Sequence, residues 1–158
     1  MIYTQPLSAH YLIVLYRQSR TIVDITPKPN MTPKTYITTG ENIPIPTAPI
    51  SNAVVAGNYC HVSGQLAVNK DGVFVGGTTL EQAQLAFNNV FAILKEADFS
   101  KEDIVFIDLA FIDLKDIFVI NQLYDSLFEK DRKPARTVYQ AAALPFDGRI
   151  KVVAIAIK

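Results

Sequence analysis

The sequence has almost no cysteine, almost no histidine and no excess of either charge. One cysteine, Cys60, excludes an internal disulfide and any metal cluster built on thiolates. The two histidines, His10 and His61, have no clustered carboxylate beside them, so a metal site is not expected. Fifteen Lys and Arg balance fifteen Asp and Glu, and no Lys/Arg run is longer than the pair in "DRK". Phosphate neutralisation needs a basic surface, so nucleic acid is not an expected partner. No stretch approaches the ~18 apolar residues that cross a bilayer, which removes the membrane as a partner. G-x-G-x-x-G and P-loop patterns are missing, Gly76-Gly77 reads as a strand-to-helix turn, and no cofactor is expected.

What is present suits one globular domain. The chain has 158 residues, 49% of them hydrophobic and 19% charged, enough for a single core. The first thirty residues stand apart: "MIYTQPLSAHYLIVLYRQSRTIV" carries two arginines and no acid. That composition fits either a cleavable organellar presequence or an upstream extension, with Met31 marking the effective start. We therefore divide the chain into an extension, residues 1–34, and a domain, residues 35–158. The expected location is cytoplasmic, or mitochondrial or another organelle if residues 1–30 are a presequence.

From Thr35 the pattern is regular. "TYITTG" reads as a first strand, followed by a proline-punctuated loop "ENIPIPTAPIS" that cannot supply a central one. "AVVAGNYCHVSGQLAV" reads as two strands around a Gly57-Asn58 turn. "NKDGVFVGG" continues as a loop or short strand. In "TTLEQAQLAFNNVFAILKEAD" a helix is expected, capped by Thr78 or Thr79 with Glu81 and Gln82 at capping-box positions. Its core face is Leu80, Ala83, Phe87, Val90, Phe91 and Leu94. "EDIVFIDLAFID" reads as a buried strand. "LKDIFVINQLYDSLFEKD" reads as a second helix with Ile117, Ile120, Leu123, Tyr124 and Leu127 inward. "ARTVYQAAALP" and "RIKVVAIAIK" close the chain as strands. The order predicts a two-layer α+β domain: a mixed six-stranded sheet with two helices on one face. The uncovered face would leave a large apolar patch, so association of copies through the sheets is expected.

Few side chains suggest chemistry. Cys60 reads as a small buried hydrophobe and His61 as a hydrogen-bonded strand residue. Ser63 in "VSGQ" lacks the flanking glycines of a hydrolase elbow. Arg136 is different, because Pro134-Ala135 fixes its entry and the following apolar strand carries no other charge before Asp147. An arginine fork in a partly desolvated place suits bidentate capture of a carboxylate or phosphate. Gly64 could offer backbone N–H groups to the same anion. The chemistry points to a small-anion pocket with a small-molecule carboxylate as partner.

At these residues the sequence resembles a known family. "VVAGNYCHVSGQLAV", "DLKDIFVINQLYDSLF" and "KPARTVYQAAALP…IKVVAIAI" are similar to successive signatures of the Rid (RidA/YjgF-type) proteins, also labelled L-PSP endoribonucleases. The resemblance implies a homotrimer whose sheets pack centrally, with ligand clefts between subunits. It implies hydrolysis of enamine/imine intermediates such as 2-aminoacrylate to the 2-keto acid and ammonia. Arg136 would bind the substrate carboxylate, and Ser63, Gly64, Gln65 and Val138 would line the cleft. Two positions depart from the family pattern. The glutamate associated with water activation falls on Val153, and a tyrosine of the first loop falls on Ile50. Valine cannot polarise water, and general-base assistance is typically worth ~10²–10⁴ in rate. The catalytic residue is therefore unassigned, with Asp147 and Glu41 as substitute acids. The alternatives are a non-catalytic metabolite-binding or interaction protein and, more weakly, an endoribonuclease or translation inhibitor.

Overall fold

The computed structural model describes residues 32–158, so the segment read as a presequence or an upstream extension, residues 1–30, and His10 lie outside the described residues. Gly57 adopts φ +62° in the expected turn, a conformation glycine takes without steric cost. That turn folds β2 (Ala53–Ala56) back on β3 (Tyr59–Gln65) in an antiparallel pair. β1 (Lys34–Ile37) pairs antiparallel with β2 at one edge. "NKDGVFVGG" forms a loop held by one bridge between Val68 and Phe74.

The first helix, α1 (Thr79–Glu96), starts where its caps place it. Thr78 Oγ1 accepts from the Glu81 N–H, and the Glu81 carboxylate accepts from the Thr78 N–H at 2.8 Å. Its buried face is Ala83, Ala86, Phe87, Val90, Ile93 and Leu94, whereas Leu80 is only half-buried. The second helix is shorter than expected. Residues 114–116 form a 3-10 turn, and α2 spans Ile117–Leu127. It stops because Phe128 is extended, which turns its ring into an aromatic cluster 4.7 Å from Tyr124 and 6.4 Å from Phe87. Ile120 and Tyr124 are buried, and Ile117, Leu123 and Leu127 pack half-buried on the core.

β4 (Ile104–Phe111), β5 (Ala135–Gln140) and β6 (Ile150–Ile157) complete a six-stranded sheet ordered β1-β2-β3-β6-β4-β5. Only β4 and β5 are parallel, and the connection between them carries α2. The expected mixed sheet with two helices is thus observed. β6 alternates strictly: Ile150, Val152, Ala154 and Ala156 are buried, and Lys151, Val153, Ile155 and Ile157 are half-buried. The buried set meets α1 and α2 in the main core with Cys60, Val62, Ile107, Leu109 and Phe111. A smaller cluster of Leu66, Val68, Ala110 and Leu144 gathers at one end of the sheet. Among the described residues no helix is long and apolar enough to cross a membrane.

Candidate functional site

β5 is an edge strand, and its register fixes where Arg136 points. Arg136 lies opposite Ile107, whose side chain is fully buried in the main core. Strand neighbours in register share a face, so Arg136 projects toward the helical layer and meets α2. On α2, Asn121, Tyr124 and Asp125 fall at helical spacing and share one surface. Arg136 Nη2 donates to Asn121 Oδ1 at 2.9 Å, and the guanidinium carbon stands 4.6 Å from the centroid of the Tyr124 ring. The Tyr124 hydroxyl donates to the Pro134 carbonyl at 3.2 Å, tying the approach of β5 to the same ring. Burial raises the Tyr124 pKa, with the Arg136 charge acting in the opposite direction. Both partners of Arg136 are neutral, and no described carboxylate forms an ion pair with it. A guanidinium has five N–H donors, so most of its fork remains free for a ligand. The open groove above it measures about 470 Å³ and includes Lys133, which is paired with Asp125 at 2.9 Å.

Val138 shares the face of Arg136 two residues along β5, but packs half-buried against the main core. The Ser63-Gly64-Gln65 segment sits on β3. Strands β6 and β4 lie between β3 and β5, three strand spacings or roughly 14 Å. One chain therefore does not bring Gly64 and Arg136 to a common anion.

The β3 segment has its own local order. Ser63 Oγ donates to the Ser51 carbonyl at 2.7 Å, and Gln65 Nε2 donates to the Ser63 carbonyl at 2.9 Å. A register shift between Val62 and Gln65 marks a bulge against β6. There Gly64 lies flush beneath Lys151, and a Cβ on Gly64 would stand 2.9 Å from Lys151 Cδ. A small cavity of about 40 Å³ brings Ile50, Gly64 and Gln65 together with Phe146.

Val153 projects on the sheet face away from the helices, directly across from Asp108 on β4. Asp108 accepts a hydrogen bond from Thr137 Oγ1. Neighbouring Tyr139 has its phenol pKa raised by burial first, then by the charge and hydrogen bond of Asp108. Glu41 and Asp147 are both exposed on loops. The carboxylate nearest in register to Val153 is thus Asp108, a strand residue that sequence reading passed over. Its signal was parity: Ile107, Leu109 and Phe111 point one way, and Asp108 the other. Cys60 is fully buried with its pKa pushed up to about 11 by that burial, consistent with a packed thiol. His61 is exposed beside Tyr59, their ring centroids 6.3 Å apart.

A family profile described as Endoribonuclease L-PSP matches residues 40–158. The chain belongs to this family. The L-PSP membership agrees with the resemblance to Rid proteins and covers every described element except β1. Among its relatives, the RutC family protein UK114 of Drosophila melanogaster is 39% identical over 113 residues, 71% of this chain and 81% of that protein. The 2-iminobutanoate/2-iminopropanoate deaminase of Capra hircus is 34% identical over 116 residues, 73% of this chain and 84% of that enzyme. The crystal structure of E. coli TdcF with bound serine superposes with a TM-score of 0.72 at 29% identity, covering 78% of this chain and 99% of that one.

Proposed function

We propose that this L-PSP family member binds small 2-imino and 2-keto acids through Arg136 and hydrolyses imines such as 2-iminopropanoate. The observation that carries the binding half is the state of Arg136: its guanidinium is positioned by an amide and an aromatic face, without a carboxylate partner among the described residues. A ligand carboxylate supplies the missing charge through a bidentate, charge-assisted pair. The deaminase names of relatives such as the goat enzyme support the imine class, and serine bound to TdcF is an amino acid of the same size and carboxylate chemistry. In the reaction, water adds to the imine carbon, ammonia leaves and the keto acid remains.

A second reading is a carboxylate-binding protein without hydrolytic turnover. Val153 favours it, because an alkyl chain stands at the position that the Rid resemblance gives to the water-activating acid. The sheet face carrying Val153, Ile155 and Ile157 is half-buried in one chain, and Tyr139 beside it is 43% exposed. We assign this face to self-association as a trimer. Sedimentation equilibrium checks this, and a monomer at micromolar concentration refutes it. For the chemistry, 2-aminoacrylate is generated enzymatically and pyruvate release is followed with wild type and Arg136→Ala. Acceleration lost in Arg136→Ala supports hydrolysis. Absent acceleration with retained 2-ketobutyrate binding selects the second reading.

A further inference from the structure

The groove that holds Arg136 also holds a second cation. Lys133 and Arg136 flank the Pro134-Ala135 step, and both line the same open volume of about 470 Å³. Lys133 Nζ is paired with Asp125 Oδ1 at 2.9 Å, but the two partners are held very differently. The lysine side chain is 29% exposed and the aspartate 75% exposed. The lysine is the more covered of the two, whereas Asp125 reaches it from solvent on the surface of α2. The groove thus presents two positive charges and one negative, the negative one being the most loosely held. Exposed ion pairs contribute little, so a better-placed carboxylate can replace Asp125 at little cost.

Resting on the carboxylate reading of Arg136, we infer that the groove takes 2-keto or 2-imino dicarboxylic acids. The carboxylate next to the keto or imine carbon meets Arg136, and the distal carboxylate meets Lys133 in place of Asp125. The fork of Arg136 suits the planar bidentate contact, and the point charge of Lys133 suits a distal group of variable reach. Five carbons in extended form place two carboxyl carbons roughly 5 Å apart, which lets one ligand address two separate cations.

Titration calorimetry with 2-ketobutyrate and 2-ketoglutarate on the full chain tests this. Wild type binds the dicarboxylate about tenfold tighter at low salt, and the preference shrinks as ionic strength rises. Lys133→Gln collapses the ratio of the two affinities, and Asp125→Asn widens it. A ratio that Lys133→Gln leaves unchanged, or the absence of any wild-type preference for 2-ketoglutarate, overturns the inference. Denaturation midpoints of both variants confirm folding, so an altered ratio reports on the groove. Failure of the underlying reading is separate: there 2-ketobutyrate itself either does not bind or binds Arg136→Ala as well as wild type.

Discussion

Asn121→Asp replaces the amide on Arg136 by a carboxylate of nearly the same shape. The wild-type contact is a hydrogen bond of 2.9 Å from Arg136 Nη2 to a neutral oxygen. After substitution the guanidinium has an internal counterion in the place where a ligand carboxylate would compensate its charge. Two unit charges ~4 Å apart attract by about 4 kcal/mol at an effective dielectric of 20. Asn121 is exposed and Arg136 half-buried, so solvent screens most of that, and exposed pairs measure only ~0.2–1 kcal/mol. A net internal pair worth up to about 1 kcal/mol must be disrupted before a ligand binds, which weakens 2-ketobutyrate affinity by up to about fivefold. The fold itself gains up to about 1 kcal/mol near pH 7. Because the introduced carboxylate has its pKa depressed by Arg136, that gain is present above its unfolded pKa and lost as pH falls through the folded one. Titration calorimetry and urea denaturation on the same preparation read both effects. Affinity equal to wild type in a correctly folded, slightly stabilised variant refutes the assignment of Arg136 as the carboxylate clamp.

Three further outcomes follow from the packing. Asn89 is buried and donates to the Leu66 and Val68 carbonyls at 3.2 and 2.8 Å; the Leu66 carbonyl also accepts from the Val68 N–H, so Asn89→Ala leaves the Val68 carbonyl without its donor. The expected loss is about 1–3 kcal/mol in urea denaturation, and a loss below ~0.5 kcal/mol contradicts it. The Cys60 thiol, with its pKa at about 11, is roughly 10⁻⁴ ionised at pH 7, so disulfide reagents react slowly with the native protein and quickly in denaturant. Fast labelling of native protein would mean that β3 opens readily. The Glu81 pKa is lowered, chiefly by the Thr78 backbone N–H, so its capping contribution is present above the unfolded pKa and disappears as pH falls through the folded one. Thr78→Ala accordingly destabilises more at pH 7 than at pH 3 in thermal melts, and an equal effect at both rejects the capping box as its cause.

The helical layer was legible because its signals are local. Thr78 and Glu81 stand three residues apart, and the Ala83–Leu94 stripe repeats every turn. The order of the strands was not, since β6 ends the chain yet lies between β3 and β4 through pairings distant in sequence. In β4 the irregularity between Ile104 and Phe106 breaks the alternation, so both residues 104 and 107 are buried. Apolar residues therefore occupy both parities of "IVFIDLAF", which hides Asp108 among them. Arg136 was conspicuous as a lone charge heading an apolar strand. Its partner Tyr124 was read as core, which is correct for its 5% exposure, but one ring face also carries the guanidinium. Lys151 over Gly64 depends on the bulge in β3, which no local pattern announced.

The edge position of β5 ties ligand binding to the docking of one strand. Within the chain β5 is held by one neighbour, the parallel strand β4, and by α2, which must be docked for the Tyr124 hydroxyl to donate to the Pro134 carbonyl and its ring to meet Arg136. The pairing of β5 with β4 joins residues nearer in sequence than the pairings of β6, but an edge strand with one neighbour is easily lost by local opening. A state lacking β5 would contain most of the buried core and still be blind to ligand. Recovery of carboxylate binding in a refolding experiment therefore reports the docking of β5, and a bound acid selectively slows exchange of the amides between residues 135 and 140.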